Sequence, residues 1–302
     1  MDLTGTPEIP PGSLAAYYHS LLASGASPLP GTPGTFWERH ESVSMTRFPG
    51  IVMPAPSAKE LRSVFWQGPA AVAEYLAYPT PKHPANSMLY LMEREDLPLQ
   101  LSSEARRNIR KAERELTFEF VDKATLRAKG LKAYCENRQR NGLSDGTPEG
   151  FESHARSFDA VGHQTIGAWR EGELVAYMTL IVIDGIVMLA GFSSTEARVF
   201  RPNDGLIAAV VDYYLAGDRC HMLNYGLASL QAAGGAEGLH RFKLNVGFRA
   251  EPVCRRFVVH PALRPGVNTV TLRSAEKLSS VFPKSRPVRK AAGVLRLILS
   301  PT

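Results

Sequence analysis

Cysteine is scarce in this chain of 302 residues. Cys135, Cys220 and Cys254 lie far apart with no C-x-x-C pair, so neither a disulfide framework nor a zinc site is implied. Long apolar runs are missing too. The longest, residues 206–211, stops at Asp212, well short of the ~20 residues that a membrane-spanning helix needs. The first residues carry Asp2, Glu8 and several prolines in place of a basic and apolar export leader, so a cytoplasmic protein is expected. The signatures G-x-S-x-G and H-E-x-x-H are absent, and the local sequence offers no Cys-His pair that reads as a nucleophile and its base. These gaps suit a reaction that needs neither a metal nor a covalent enzyme intermediate.

Acidic residues are rare in one region. Between residues 261 and 302, Glu276 is the single acid against eight Lys and Arg. The net charge of +6 therefore belongs to this tail, and the remainder is close to neutral. Within the tail, residues 274–281 and 288–299 read as short helices. Val294, Leu295, Leu297 and Ile298 stand beside Arg289, Lys290 and Arg296, a pattern that suits a solvated tail, an anionic membrane surface or tRNA phosphates.

Four regions follow from the punctuation. Residues 1–34 hold six prolines and one short helix (13–23) and read as an arm. Residues 35–123 read as a small α/β lobe, with strands at 36–48 and 87–93 and helical pieces at 58–66 and 70–76. Residues 124–260 form a second α/β lobe, and 261–302 the basic tail. The second lobe runs helix (124–140), helix (151–158), three antiparallel strands (165–169, 173–183, 186–191), helix (to about 215), strand (221–225), helix, strand (from 253). Arg170-Glu171-Gly172 and Asp184-Gly185 suit the hairpin turns, and Asp145 and Thr147 suit a turn or cap. The mixed order predicts an α/β (α+β) fold with helices on mixed, partly antiparallel sheets.

Two stretches carry the functional signal. The helix 102–116, SSEARRNIRKAEREL, places Ala105, Ile109, Ala112 and Leu116 on one stripe, with Arg106, Arg107, Arg110 and Arg114 on the adjoining face. Such a face is either a solvated basic surface, relieved by Glu113 and Glu115, or a phosphate clamp, because guanidinium forks match phosphate. The stretch 224–256 passes from a strand end through a Gly/Ala-rich loop (226–235) to a helix carrying His240, Arg241, Phe242 and Lys243. A glycine-rich loop lets a ligand approach the backbone, and helix ends leave free N–H groups.

The order of elements resembles that of GNAT acyltransferases. GLHRFKLNVGFRAEPV resembles the G-[LI]-x-x-F-K-x-x-F/W-G segment of the FemAB-like branch, whose members include the aminoacyltransferases of peptidoglycan interpeptide bridges. LSSEARRNIRKAEREL is similar to that branch's R-x-x-I-R-K-A helix, and the likeness spans residues 95–260. It implies two tandem GNAT-like lobes, the first degenerate, and an N-acyltransferase that forms an amide on an acceptor amine. The implied donor is aminoacyl-tRNA, with acyl-CoA the alternative, and no tightly bound cofactor. The acceptor is not inherited from the resemblance; a peptide, cell-wall precursor or amino sugar, anionic or phosphate-bearing, is expected. A non-catalytic binder on the same scaffold is the competing class.

By the same resemblance Phe242 and Lys243 lie at the reacting centre, with Arg106, Arg107 and Arg110 as phosphate contacts. Arg241 and Arg138 complete the expected substrate-binding set. Tyr225, at a strand end, is placed to protonate the leaving group; a packed strand tyrosine is the plainer reading. The departures are informative. Val246 stands where the branch has an aromatic, residues 1–95 do not match, and no coiled-coil arm is present. The phosphate-cradling Arg/Gln-x-x-Gly-x-Gly/Ala loop of CoA-dependent relatives is represented only by Gly205 with Arg198 and Arg201.

Overall fold

The computed structural model describes residues 3–41, 43–68, 70–143, 145–229, 236–282 and 285–299. The chain begins with β1 (Leu3–Thr4), α1 (Leu14–Ala23), β2 (Leu29–Pro30), β3 (Phe36–Glu41), β4 (Ser44–Phe48), α2 (Ala58–Trp66), β5 (Val72–Ala77) and β6 (Ser87–Glu93). It continues through α3 (Ser103–Glu115), β7 (Thr117–Phe120), α4 (Lys123–Lys129), α5 (Leu131–Arg140), α6 (Pro148–Ala155), β8 (His163–Arg170), β9 (Glu173–Ile183) and β10 (Ile186–Ser193). The last elements are α7 (Pro202–Val210), β11 (Met222–Ser229), α8 (Ala236–Asn245), β12 (Arg249–Val259), α9 (Thr269–Val281) and α10 (Arg286–Leu299). This is the α/β class expected, with mixed sheets and flanking helices.

The described residues fall into two compact units. One is drawn from Met1–Ser20, Leu89–Leu227 and Ala233–Glu251, the other from Leu21–Met88, Ala228–Ala232 and Pro252–Thr302. Their limits differ from the sequence boundaries at 34, 123 and 260, because strands distant in sequence close each sheet.

In the first unit the strand order is β1-β7-β8-β9-β10-β11-β6. The arm supplies its edge: Leu3–Thr4 pairs parallel with β7. The meander β8-β9-β10 is antiparallel, with turns at Glu171-Gly172 and Asp184-Gly185 in which both residues have positive φ, the twist that two-residue hairpins require. Helices α4, α5 and α6 cover a core of Leu126, Tyr134, Phe151, Phe158, Tyr177 and Phe192. The helix expected over 124–140 is divided at Gly130. A Cβ there would meet the Leu126 carbonyl oxygen at 2.6 Å and the Leu126 Cδ1 at 2.9 Å. Thr147 caps α6, its Oγ1 accepting from Gly150 N at 3.2 Å. Helix α7 packs on β8, β9, β10 and α3 and runs into a π-turn, Val211–Ala216.

In the second unit the order is β12-β5-β4-β3-β2, with β5 parallel to β4 and the other pairs antiparallel. Helix α2 buries Val64 and Phe65 against Trp37, Met45 and Ala73. The stretch 70–76, expected to be helical, forms most of β5, where Ala73, Glu74 and Leu76 are buried. Burial between two neighbouring strands overrides the helical leaning of its alanines. The single strand expected over 36–48 is the hairpin β3–β4. The tail helices α9 and α10 are longer than expected and pack on each other.

Candidate active site

Strand β11 runs beyond the expected 221–225 to Ser229; residues 230–235 of the glycine-rich loop lie outside the described residues. It pairs parallel with β10 over three residue pairs, from Ile186↔Met222 to Met188↔Asn224, although both strands continue. The cause of the parting is local. Gly226 has φ +72°, a conformation that kinks a strand and favours glycine. Its N–H is taken by the buried Asn224 side chain (Oδ1, 2.8 Å). The carbonyl of the same peptide group, that of Tyr225, accepts from Lys243 Nζ at 2.7 Å. One peptide plane is thus withdrawn from the sheet at both ends, and the strands separate there.

Lys243 is delivered by α8. That helix ends at Gly247 (φ +101°), with Phe248 N donating to the Lys243 carbonyl at 3.1 Å and Gly247 N to the Leu244 carbonyl at 3.0 Å. The Lys243 side chain is 3% exposed and lies over the rings of Tyr90 (4.2 Å) and Tyr225 (4.8 Å). Burial lowers its pKa from 10.5 to about 8. The two rings and the Tyr225 carbonyl still favour the ammonium form, which has three donors for this one acceptor. Tyr225 also packs on Phe242 (6.5 Å) and Phe248 (5.3 Å), and burial raises its phenol pKa, so the hydroxyl keeps its proton.

Two participants were not legible in the sequence. The Tyr90 hydroxyl on β6 lies 2.6 Å from His240 Nδ1, tying the start of α8 to the strand beside it. Burial raises the Tyr90 pKa. The other is the polar start of α7. Asp204 is buried, its carboxyl pKa raised by desolvation, and Asn108 Nδ2 donates to it at 3.4 Å. Beside it the Asn203 Oδ1 is buried without a protein partner. A Cβ on Gly191 of β10 would lie 3.5 Å from the Tyr225 hydroxyl and 3.8 Å from Asn203 Oδ1, so these groups converge over the backbone of Gly191. Gly205 has a different use from the phosphate contact expected of it. A Cβ there would meet Phe118 Cζ at 2.3 Å and Ala112 Cβ at 2.8 Å, so the glycine is required by the packing of α7 on α3 and β7.

A cavity of about 560 Å³ opens beside this cluster. Leu97, Leu99, Ile109, Ile207, Val211 and Val246 give it apolar walls, and Glu113, Asp204 and Asp212 supply its charged groups. Val246, the departure from the FemAB-like pattern, is one of those walls.

The structure brings Phe242, Lys243 and Tyr225 together. Arg106, Arg107 and Arg110 are exposed on α3, the helix that also carries Ile109 and Glu113 into the cavity wall. Arg106 donates to the Leu101 carbonyl at 2.7 Å. Asn108 shares the buried stripe with Ala105 and Ala112, where an all-apolar stripe was expected. Arg241 is exposed on α8. Arg138 is used elsewhere: its guanidinium is paired with Asp145, with Nε to Oδ1 at 3.0 Å, closing the turn before α6.

No family model matches the sequence, and no curated protein matches it. Solved structures do share the fold. FemX is similar with a TM-score of 0.56 at 12% identity, over 85% of this chain and 95% of that one. L-PGS from Bacillus licheniformis gives 0.52 at 12% identity, over 87% and 96%. The C-terminal domain of a protein assigned as a lysylphosphatidylglycerol synthetase from Agrobacterium fabrum gives 0.51 at 16% identity, over 80% and 87%. At the level of the fold, this chain is therefore similar to FemX and L-PGS.

Proposed function

We propose that this protein is an acyltransferase that moves an aminoacyl group from the ester of a charged tRNA to an amine. The observation that carries the reading is Lys243, a buried ammonium at the point where two strands part, with donors beyond the one that Tyr225 takes. The amine nitrogen adds to the ester carbonyl carbon, the carbonyl oxygen gains negative charge, and Lys243 stabilises it. Removing a fixed donor of this kind typically costs ~3–4 kcal/mol, or 10²–10³ in rate. The C–O ester bond then breaks. The protonated Tyr225 phenol donates to the departing ribose oxygen and recovers a proton from the former amine, so protons balance. The three carboxylates of the adjoining cavity favour an amine-bearing acceptor there over an anionic one. The basic face of α3 would meet the phosphates of the donor.

A second reading has its own support. Parted parallel strands leave main-chain groups that an extended amide-bearing chain can pair, as the pantetheine arm of an acyl-CoA would. Titration at one fixed salt concentration with charged tRNA, uncharged tRNA and acetyl-CoA separates the two. The leading reading expects charged tRNA to bind at least tenfold more tightly than uncharged, with amide product lost at least a hundredfold in Lys243→Ala. Saturable acetyl-CoA binding with no preference for charged tRNA would transfer the assignment to the acyl-CoA reading. Silence toward all three would leave a non-catalytic binder.

A further inference from the structure

The outward face of α9 is unusual for a helix of a folded unit. Positions 270, 274, 277 and 281 recur at helical spacing and share one side, which carries Val270, Ser274, Lys277 and Val281 with Arg273 beside them. Val270 is 69% exposed and Val281 60%, whereas Leu272, Ala275 and Ser279 on the other side are half-buried. Phe282 extends the exposed apolar residues past the helix end. The helix's one acid, Glu276, lies on the inner side, where both Arg296 Nε (3.1 Å) and Nη2 (2.7 Å) bond it. The outward face therefore combines apolar and cationic side chains with no carboxylate among them.

The strip continues toward α2. Trp66, 67% exposed, stands 4.8 Å from the His260 ring, and His260 opens the exposed turn Pro261–Gly266 that carries Leu263 and Arg264 into α9. An exposed tryptophan, aliphatic residues and unopposed cations match the layering of a lipid interface: aromatic at the headgroups, apolar below, and positive charge against lipid phosphates. A nucleic acid would match the cations alone and would leave the valines in water.

We propose that the outward face of α9, with Trp66 and Leu263, is a peripheral docking surface for an anionic phospholipid bilayer. Because no helix among the described residues is long and apolar enough to span a membrane, attachment through this face would be reversible and salt-dependent. Docking is independent of the acyl-transfer reading, since it needs neither donor nor acceptor.

The test is co-sedimentation of the full chain with vesicles of phosphatidylcholine alone or mixed with phosphatidylglycerol. The wild type should bind the mixed vesicles at least tenfold more tightly. Val270→Ser with Val281→Ser should lose most of that binding, as should Arg273→Glu with Lys277→Glu. All four positions are exposed, so unchanged melting temperatures serve as the folding control. Failure to bind either vesicle overturns the proposal, and so does wild-type binding in both double variants. Binding of structured RNA, lost on charge reversal but not on valine replacement, in a protein that ignores vesicles would reassign the face to nucleic acid.

Discussion

Lys243 supplies the most direct test at the residue scale, because its two protonation states report on both rate and stability. Burial lowers its pKa from 10.5 to about 8. If the ammonium stabilises the oxyanion, kcat/KM should fall as pH rises through about 8, and Lys243→Arg should remove that limb while lowering the rate. The stability sign runs the other way. Between pH 8 and 10.5 the unfolded lysine binds more protons than the folded one, so wild-type stability rises with pH across that window. From pH 7.5 to 9.5 the gain is about 2 kcal/mol for this group alone, and Lys243→Met should lack it. Urea unfolding of both proteins at the two pH values measures the difference; parallel slopes would mean that Lys243 is not desolvated. The Phe242-Lys243 pair was legible as a local motif. Tyr90 was not, because its partner His240 is 150 positions away and nothing in the run SMLYLME marks one hydroxyl among buried strand residues.

At the scale of elements, the site depends on a strand that stops pairing. Asn224 and Lys243 hold the two ends of the Tyr225–Gly226 peptide, so the gap beside β10 is built by side chains acting on backbone. A β-branched residue strongly disfavours the positive φ at Gly226. Gly226→Val should therefore destabilise the fold by roughly 1–2 kcal/mol and relax β11 toward regular pairing. Donor binding should drop at least tenfold while Lys243 itself is untouched. Isothermal titration alongside thermal melting decides it; normal donor affinity in the folded variant would show that the parting is not required. The meander was legible because alternation and two turn dipeptides coincide. The strand β5 was misread because Ala70, Ala71 and Ala73 suit a helix in isolation, and only neighbours on both sides make it a strand.

For the whole molecule, the sequence was read as successive lobes, whereas each compact unit is assembled from separated stretches. Composition marks a proline-rich arm over residues 1–34, yet Met1–Ser20 belongs to the first unit and the rest of the arm to the second. Besides the pairing of β1 with β7, Gly12 N donates to the Val182 carbonyl and Asp184 N to the Gly12 carbonyl, each at 3.0 Å. Gln164 Nε2 reaches the Ile9 carbonyl at 2.8 Å. Long-range pairings of this kind leave no periodic signature, so boundaries at 34 and 123 follow from local sequence alone. The consequence concerns autonomy. A fragment of residues 124–260, the second lobe as the sequence presents it, would lack β7 as partner of β8, α3 as partner of α7 and β6 beside β11. It would leave Gly205 of α7 without Ala112 and Phe118 to pack on, and the Asp204 side chain without Asn108. Such a fragment should show no cooperative thermal transition by circular dichroism, while the full chain melts cooperatively. A fragment that melts sharply would mean that the meander and its helices α5 and α6 form a core sufficient on their own, with the earlier residues added around it.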